Sequence, residues 1–242
     1  MTGLRGKKVV VIGGSSGIGF AIAEAALAEH AEVVVASSGQ ANVDTALRRL
    51  GAGAKGFPVN VTDEASVAGF FEGLGPIDHV VFTAGDWGSF RTGTLAETDL
   101  EAAAQGLAVR YWGGARVAKH AHKHLPAAGS ITLTNGMVAH RPAKGRALST
   151  AMAGGIEHLT IGLAMDLAPI RVNCVCPALI RTDVWNSIPE AGREYQFKRM
   201  TAHQPLPRIG EAAVVAEAYL YLMKAGYTTG QVRRVDGGSS LV

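Results

Sequence analysis

The run Val11-Ile12-Gly13-Gly14-Ser15-Ser16-Gly17-Ile18-Gly19 has the residue types and spacing of a phosphate cradle. Its chemistry is that of bare backbone amides. Glycine lets the chain turn tightly, and it lets a pyrophosphate approach the N–H groups that open the next helix with no Cβ in the way. An apolar strand precedes the run and a helix from Ile18 to about Glu29 is expected after it, which is the context a dinucleotide site needs. Side chains able to move a proton are more scattered. Tyr111, His140, Tyr195 and His203 are the candidates, and a histidine near the site is the best matched to neutral pH. In Lys119-His120-Ala121-His122-Lys123-His124, His120 and His124 stand one helical turn apart, as two metal ligands require. Further ligands are not visible in the sequence, and the run also reads as a solvated cationic helix end, so no metal site is expected. Cys174 and Cys176 are two apart in an apolar run, on one face of a strand, and read as reduced core thiols. Trp87, Trp185 and Tyr195 fall in loops, where they either line an apolar substrate pocket or pack a lid.

The elements that must position these groups alternate. Short β-branched runs are separated by longer alanine-rich stretches, which argues for parallel strands joined by crossover helices. Strands are expected at Lys7 to Ile12, Glu32 to Ala36, Gly56 to Asn60, His79 to Thr83, Ser130 to Thr134, Arg171 to Val175 and Gln231 to Val235. Several are apolar without alternation, as when helices cover both faces of a sheet. The fold class is therefore α/β, a single doubly wound Rossmann-type parallel sheet of about seven strands spanning residues 1–242. Thr98 to Glu101 has capping-box spacing, and Thr62 before Asp63 and Glu64 places a cap and two acids at a helix start. The segment from Asp183 to Gly210, rich in proline, arginine and aromatics, reads as a lid over the carboxyl edge of the sheet.

Composition narrows the function classes. With 242 residues, 48% hydrophobic and 18% charged, the chain can bury one sizeable core and has no room for a second domain. A net charge of +3 without a basic run, and only 6% aromatics, argues against nucleic acid as a partner. There is no signal-peptide pattern and no uncharged apolar stretch long enough to span a bilayer, so a soluble, cytoplasmic protein with no membrane partner is expected.

With the glycine turn in place, the chain resembles the short-chain dehydrogenase/reductase family nearly from end to end. Asn60-Val61-Thr62-Asp63 matches the family's contact to the adenine, and Thr83-Ala84-Gly85 matches its Asn-Ala-Gly turn with threonine for asparagine. Pro177-Ala178-Leu179-Ile180-Arg181-Thr182 looks like the segment beside the nicotinamide carboxamide, with Ala178 where glycine is usual. Thr229-Gly230-Gln231 and Val235-Asp236-Gly237-Gly238 fit the last strand and its turn. The resemblance implies a nicotinamide cofactor, a small-molecule substrate and a homodimer or homotetramer built through the helices carrying Arg110 and Met152. Its cofactor contacts would be Gly13, Ser15, Ser16, Gly17, Ile18, Gly19, Ser37, Ser38, Asn60, Val61, Thr83, Ala84, Gly85, Pro177, Leu179, Ile180 and Thr182.

The departures are concentrated in one place. The family's catalytic serine, its Tyr-x-x-x-Lys pair and its asparagine align with Asn135, with Leu148 and Met152, and with Arg110. Hydride transfer belongs to the nicotinamide, while the protein supplies geometry and a proton for the carbonyl or alcohol oxygen. Leucine cannot donate that proton and methionine cannot supply the charge that tunes a phenol. Losing general acid catalysis costs about two to four powers of ten in rate without preventing cofactor binding. Arg110 and Asn135 are then the remaining catalytic candidates. The guanidinium either reaches the nicotinamide ribose or a developing oxyanion, or it points to solvent or pairs with an acid such as Glu157. Asn135 can orient a carbonyl but cannot act as an acid. Two functions follow from different classes: an atypical oxidoreductase, or a cofactor-binding pseudoenzyme with a sensing or interaction role. At the end of the second strand Ala36-Ser37-Ser38-Gly39 carries no acid, where an NAD site places one for the ribose hydroxyls. NADP(H) is favoured over NAD(H).

Overall fold

Valine and isoleucine fill the inner strands of the central sheet because neither face meets water there. In the computed structural model, which describes residues 3–85, 93–186 and 188–242, β1 (Lys8–Ile12), β2 (Glu32–Ser37), β3 (Ala54–Pro58), β4 (His79–Phe82), β5 (Ser130–Thr134), β6 (Arg171–Pro177) and β9 (Val232–Val235) form one parallel sheet. Its order is β3-β2-β1-β4-β5-β6-β9. Side chains along β1 alternate between two cores. Val10 and Ile12 join Phe71, Phe82, Ile131 and Ile156 on one face, and Val9 and Val11 join Phe20, Ile22, Tyr219 and Leu222 on the other. Helices α1 (Gly17–Ala28), α2 (Gln40–Leu50) and α8 (Ala212–Lys224) cover the second face, and α3 (Glu64–Leu74), α4 (Leu100–Leu107), α5 (Gly113–Ala121) and α6 (Ala147–Asp166) cover the first. This is the doubly wound Rossmann-type sheet expected from the apolar runs. The strand order reverses between β1 and β4, where such sheets leave a crevice at the carboxyl ends of their strands.

Several local expectations are corrected. The third strand lies at Ala54–Pro58, two residues earlier than Gly56 to Asn60, which frees Asn60 for the loop beyond it. This edge strand is largely exposed and lacks the apolar run that marks the others. Asp63, not Thr62, caps α3, its carboxylate accepting from the Ala65 amide, while the Thr62 hydroxyl donates to Asn60 Oδ1 at 2.7 Å. Likewise Asp99 caps α4, and the capping box is Thr94 with Glu97 rather than Thr98 with Glu101. In both places the aspartate next to the threonine takes the cap. The segment after Thr182 is more regular than expected: a turn of 3-10 helix at Asp183–Trp185, then α7 (Glu190–Thr201), flanked by the small parallel pair β7 (Ile180–Arg181) and β8 (Gly210–Glu211). Arg181 ties it down through Glu194 at 2.5 Å and Glu211 at 3.2 Å.

The opposite, amino edge of the sheet is closed by buried polar pairs. His79 Nδ1 and Ser130 Oγ are 2.9 Å apart, and burial pushes the His79 pKa down to about 4, so the ring is neutral there. Arg171 donates to the carbonyls of Leu222 and Met223 at the end of α8. Among the described residues no helix is long and apolar enough to cross a membrane.

Candidate functional site

A crevice of about 990 Å³ opens at the carboxyl edge, at the switch point between β1 and β4. Its first wall is the turn from β1 into α1. Gly13 has φ +86, and a Cβ on Gly19 would lie 2.2 Å from the Gly13 carbonyl oxygen, so neither position tolerates a side chain. Thr83 fixes this turn from the far side: its hydroxyl is placed to donate to the carbonyls of Ile12 at 3.1 Å and Gly13 at 3.2 Å. Threonine here thus ties β4 to the glycine turn. Ser15 donates to Ser37 across 3.1 Å, joining the turn to the end of β2. The loop after β3 supplies Asn60, whose Oδ1 accepts from the Thr62 amide and hydroxyl.

The structure brings together in this one crevice every residue the sequence assigned to it: Gly13, Ser15, Ser16, Gly17, Ile18 and Gly19 from the turn, Ser37 and Ser38 from β2, Asn60 and Val61, then Thr83, Ala84 and Gly85, and finally Pro177, Leu179, Ile180 and Thr182 after β6. Arg110 and Asn135 line it as well. Trp185, from the segment after β7, reaches the crevice, whereas Tyr195 is 68% exposed and does not line it. Trp87 lies outside the described residues. Arg146, Met137 and Gln204 also line the crevice, and no local pattern marks them for it. They reach it because helix starts and loops happen to end there.

Opposite lies the second wall, with Arg110 and Asn135 on it. Arg110 sits in a π-helical segment, Ala108–Trp112, between α4 and α5, and is 8% exposed rather than solvent-facing. Its guanidinium lies so close to Gly85 that a Cβ there would be 1.9 Å from Nη2. Gly85 is therefore the residue that lets an arginine enter the site. Asn135 follows β5 and is buried, its Nδ2 donating to Glu157 at 2.7 Å. Glu157 also holds His140 Nε2 at 2.7 Å. Leu148 and Met152 lie on α6 and pack into the core cluster with Ile156 and Cys174 instead of lining the crevice. Tyr111 packs edge-on against Trp112, and His203 is exposed.

The reading of the two cysteines as reduced core thiols holds, and the surroundings of His120 differ from the sequence expectation. An acid does stand beside His120, because α3 brings Glu64 against both Lys119 and His120, while His124 stacks on Phe71 instead. Cys174 and Cys176 are free and buried, and Cys176 is pushed up to about 12 by burial and by the nearby Glu157 charge.

A glycine-turned cradle at the switch point of a parallel sheet is the kind of crevice in which nicotinamide-dependent oxidoreductases hold their dinucleotide. Comparison with known proteins gives the family. A family model described as enoyl-(acyl carrier protein) reductase matches residues 12–240. The short-chain dehydrogenase/reductase fsr5 of Gibberella fujikuroi is 37% identical over 259 residues, covering 98% of this chain and 96% of the relative. Among solved structures, the MalC reductase/Diels-Alderase of Malbranchea aurantiaca superposes with a TM-score of 0.91 at 32% identity, over 99% of this chain and 98% of that one. A small-chain dehydrogenase in complex with NADPH gives 0.84 at 34% identity, over 98% and 100%. The chain belongs to the short-chain dehydrogenase/reductase family.

Proposed function

We propose that this chain is an NADP(H)-dependent oxidoreductase with a non-standard reacting wall, acting on a small carbonyl, alcohol or related substrate. The observation that carries the proposal is the placement of Arg110 and Asn135 in the cofactor crevice while Leu148 and Met152 are turned into the core. In this site the cofactor supplies the hydride. Arg110 supplies a fixed positive charge for oxygen that becomes anionic, and Asn135 orients the reacting group. Neither is a proton donor suited to neutral pH, so the proton comes from water or from the substrate itself. The NADP(H) preference rests on Ser15, Ser37 and Ser38, hydroxyls facing the ribose position with no carboxylate to repel a 2′-phosphate. Resemblance to an NADPH-bound relative fits that preference. Residues 183–210 act as the substrate-facing lid, with Trp185 and Gln204 toward the crevice.

A homodimer or homotetramer is proposed through α4–α5 and α6, which expose Trp112, Ile161 and Met165. Light scattering tests it, and a monomer at micromolar concentration overturns it. The activity is tested by NADPH fluorescence binding followed by cofactor oxidation against quinones, ketones and imines. Binding with turnover on at least one class is expected. Tight binding without turnover on any of them overturns the oxidoreductase reading and favours a cofactor-sensing or interaction role.

A further inference from the structure

Beneath the floor of the crevice three side chains converge that hydride transfer does not use. Cys176 stands near the end of β6 and is fully buried, Glu157 lies on α6 beyond Met152, and His140 closes the turn after β5. One ligand atom from each, a thiol sulfur, a carboxylate oxygen and an imidazole nitrogen, lies within 4.8 Å of the others. Asn135 forms a fourth side. Its amide group is 2.7 Å from Glu157 and 3.9 Å from Cys176 Sγ through Nδ2, while its buried Oδ1 has no hydrogen-bond partner among the described residues.

We propose that Cys176, His140, Glu157 and Asn135 form a binding site for a zinc ion at the base of the reacting wall. Zinc bonds of about 2.0 to 2.3 Å set neighbouring tetrahedral ligands about 3.3 to 3.7 Å apart. The observed separations, 2.7 Å between His140 and Glu157 and 3.9 Å between Asn135 and Cys176, straddle that range, so closure needs movements on the order of 1 Å. Half a turn of the Asn135 amide brings Oδ1 onto the ion and gives this otherwise orphaned acceptor a partner. A mixed sulfur, nitrogen and oxygen set selects zinc or cobalt over magnesium and calcium. The charges also close: thiolate and carboxylate together cancel the two charges of the ion, as a buried site requires. On binding, the Cys176 proton and any proton shared between His140 and Glu157 leave to solvent, with no redox change. The turned amide then places Nδ2 in the buried position that Oδ1 occupies now.

The test is independent of turnover. The full chain, stripped with a chelator, is titrated with Zn²⁺ against a chromogenic competitor, and with Co²⁺ as a spectroscopic probe. One tightly held ion per chain is expected, with a thiolate-to-cobalt charge-transfer band. Cys176→Ser should abolish that band, and His140→Ala should weaken binding by about 100-fold. His140 is on a half-buried turn, so this variant decides the question if Cys176→Ser fails to fold, with NADPH binding as the check of folding. No zinc uptake overturns the proposal. So does stoichiometric uptake unchanged in His140→Ala, or uptake lost instead in His120→Ala, which would place the ion beside Glu64. NADPH binding without zinc uptake rejects this site and leaves the proposed oxidoreductase function standing.

Discussion

The two walls of the crevice are built from different materials. The wall from β1 to α1 is backbone: glycines, two serines and the threonine that braces them, and its binding capacity lies in amides that any sequence with the right turn would present. The opposite wall works through side chains, with Arg110 entering from between α4 and α5 and Asn135 from the end of β5, while Leu148 and Met152 on α6 pack behind it in the core. Backbone chemistry survives sequence drift because it depends on what is absent, namely Cβ atoms. Side-chain chemistry depends on what is present, and a single substitution is enough to change it.

The sharpest way to break the contrast is to put a side chain into the backbone wall. Gly19→Ala drives a methyl group to 2.2 Å from the Gly13 carbonyl and 2.5 Å from the Thr83 hydroxyl, and neither can retreat far. NADPH affinity should fall by at least ~100-fold, read by fluorescence titration, with a loss of stability of about 1 to 3 kcal/mol. Unchanged affinity would mean that the cofactor does not sit against this turn. On the second wall, Arg110→Ala should leave NADPH affinity within about threefold while lowering turnover by about 100-fold on whichever substrate of the panel reacts. Equal losses in both would assign Arg110 to the cofactor rather than to the reacting atoms. Ser37→Asp probes the seam between the walls and the adenine end. A carboxylate there accepts from ribose hydroxyls and opposes a 2′-phosphate, so the preference should move by about tenfold toward NAD in paired titrations.

The same contrast explains what could be read in the sequence. The glycine turn and the strands were legible because their signals are local: β1, β2, β4 and β5 are short apolar runs, and a phosphate cradle needs nine consecutive residues. β3 slipped by two positions because an exposed edge strand carries no apolar run, and the caps slipped by one because threonine and aspartate stand side by side. Arg110 was a candidate from its alignment, yet its inward course depends on Gly85, 25 residues away in the chain and in contact only after β4 and the π-helical segment meet. The cluster of Asn135, His140, Glu157 and Cys176 has no spacing signature. It is assembled by β5, a turn, α6 and β6, and only the fold places the thiol beside the carboxylate. His120 and His124, which did have metal-ligand spacing, diverge toward Glu64 and Phe71.

The smallest expected effect separates two neighbours on the second wall itself. Thr134 and Asn135 are adjacent, both buried and both on the crevice, yet their partners differ. Thr134 donates to the Phe82 carbonyl at 2.6 Å, so its oxygen receives the Tyr219 hydroxyl proton at 2.7 Å, inside the core beneath α8. That bond joins β4, β5 and α8 and faces no ligand. Tyr219→Phe removes one buried donor and leaves the ring packing intact, which should cost about 1 kcal/mol. The melting temperature should fall by about 2 to 4 °C for a chain of this length. NADPH affinity and turnover should stay within about twofold, because the lost bond lies on the core side of the wall. A larger loss of turnover than of stability would show that the floor under Thr134 tunes the reacting wall, and would extend the side-chain wall one layer deeper than Arg110 and Asn135.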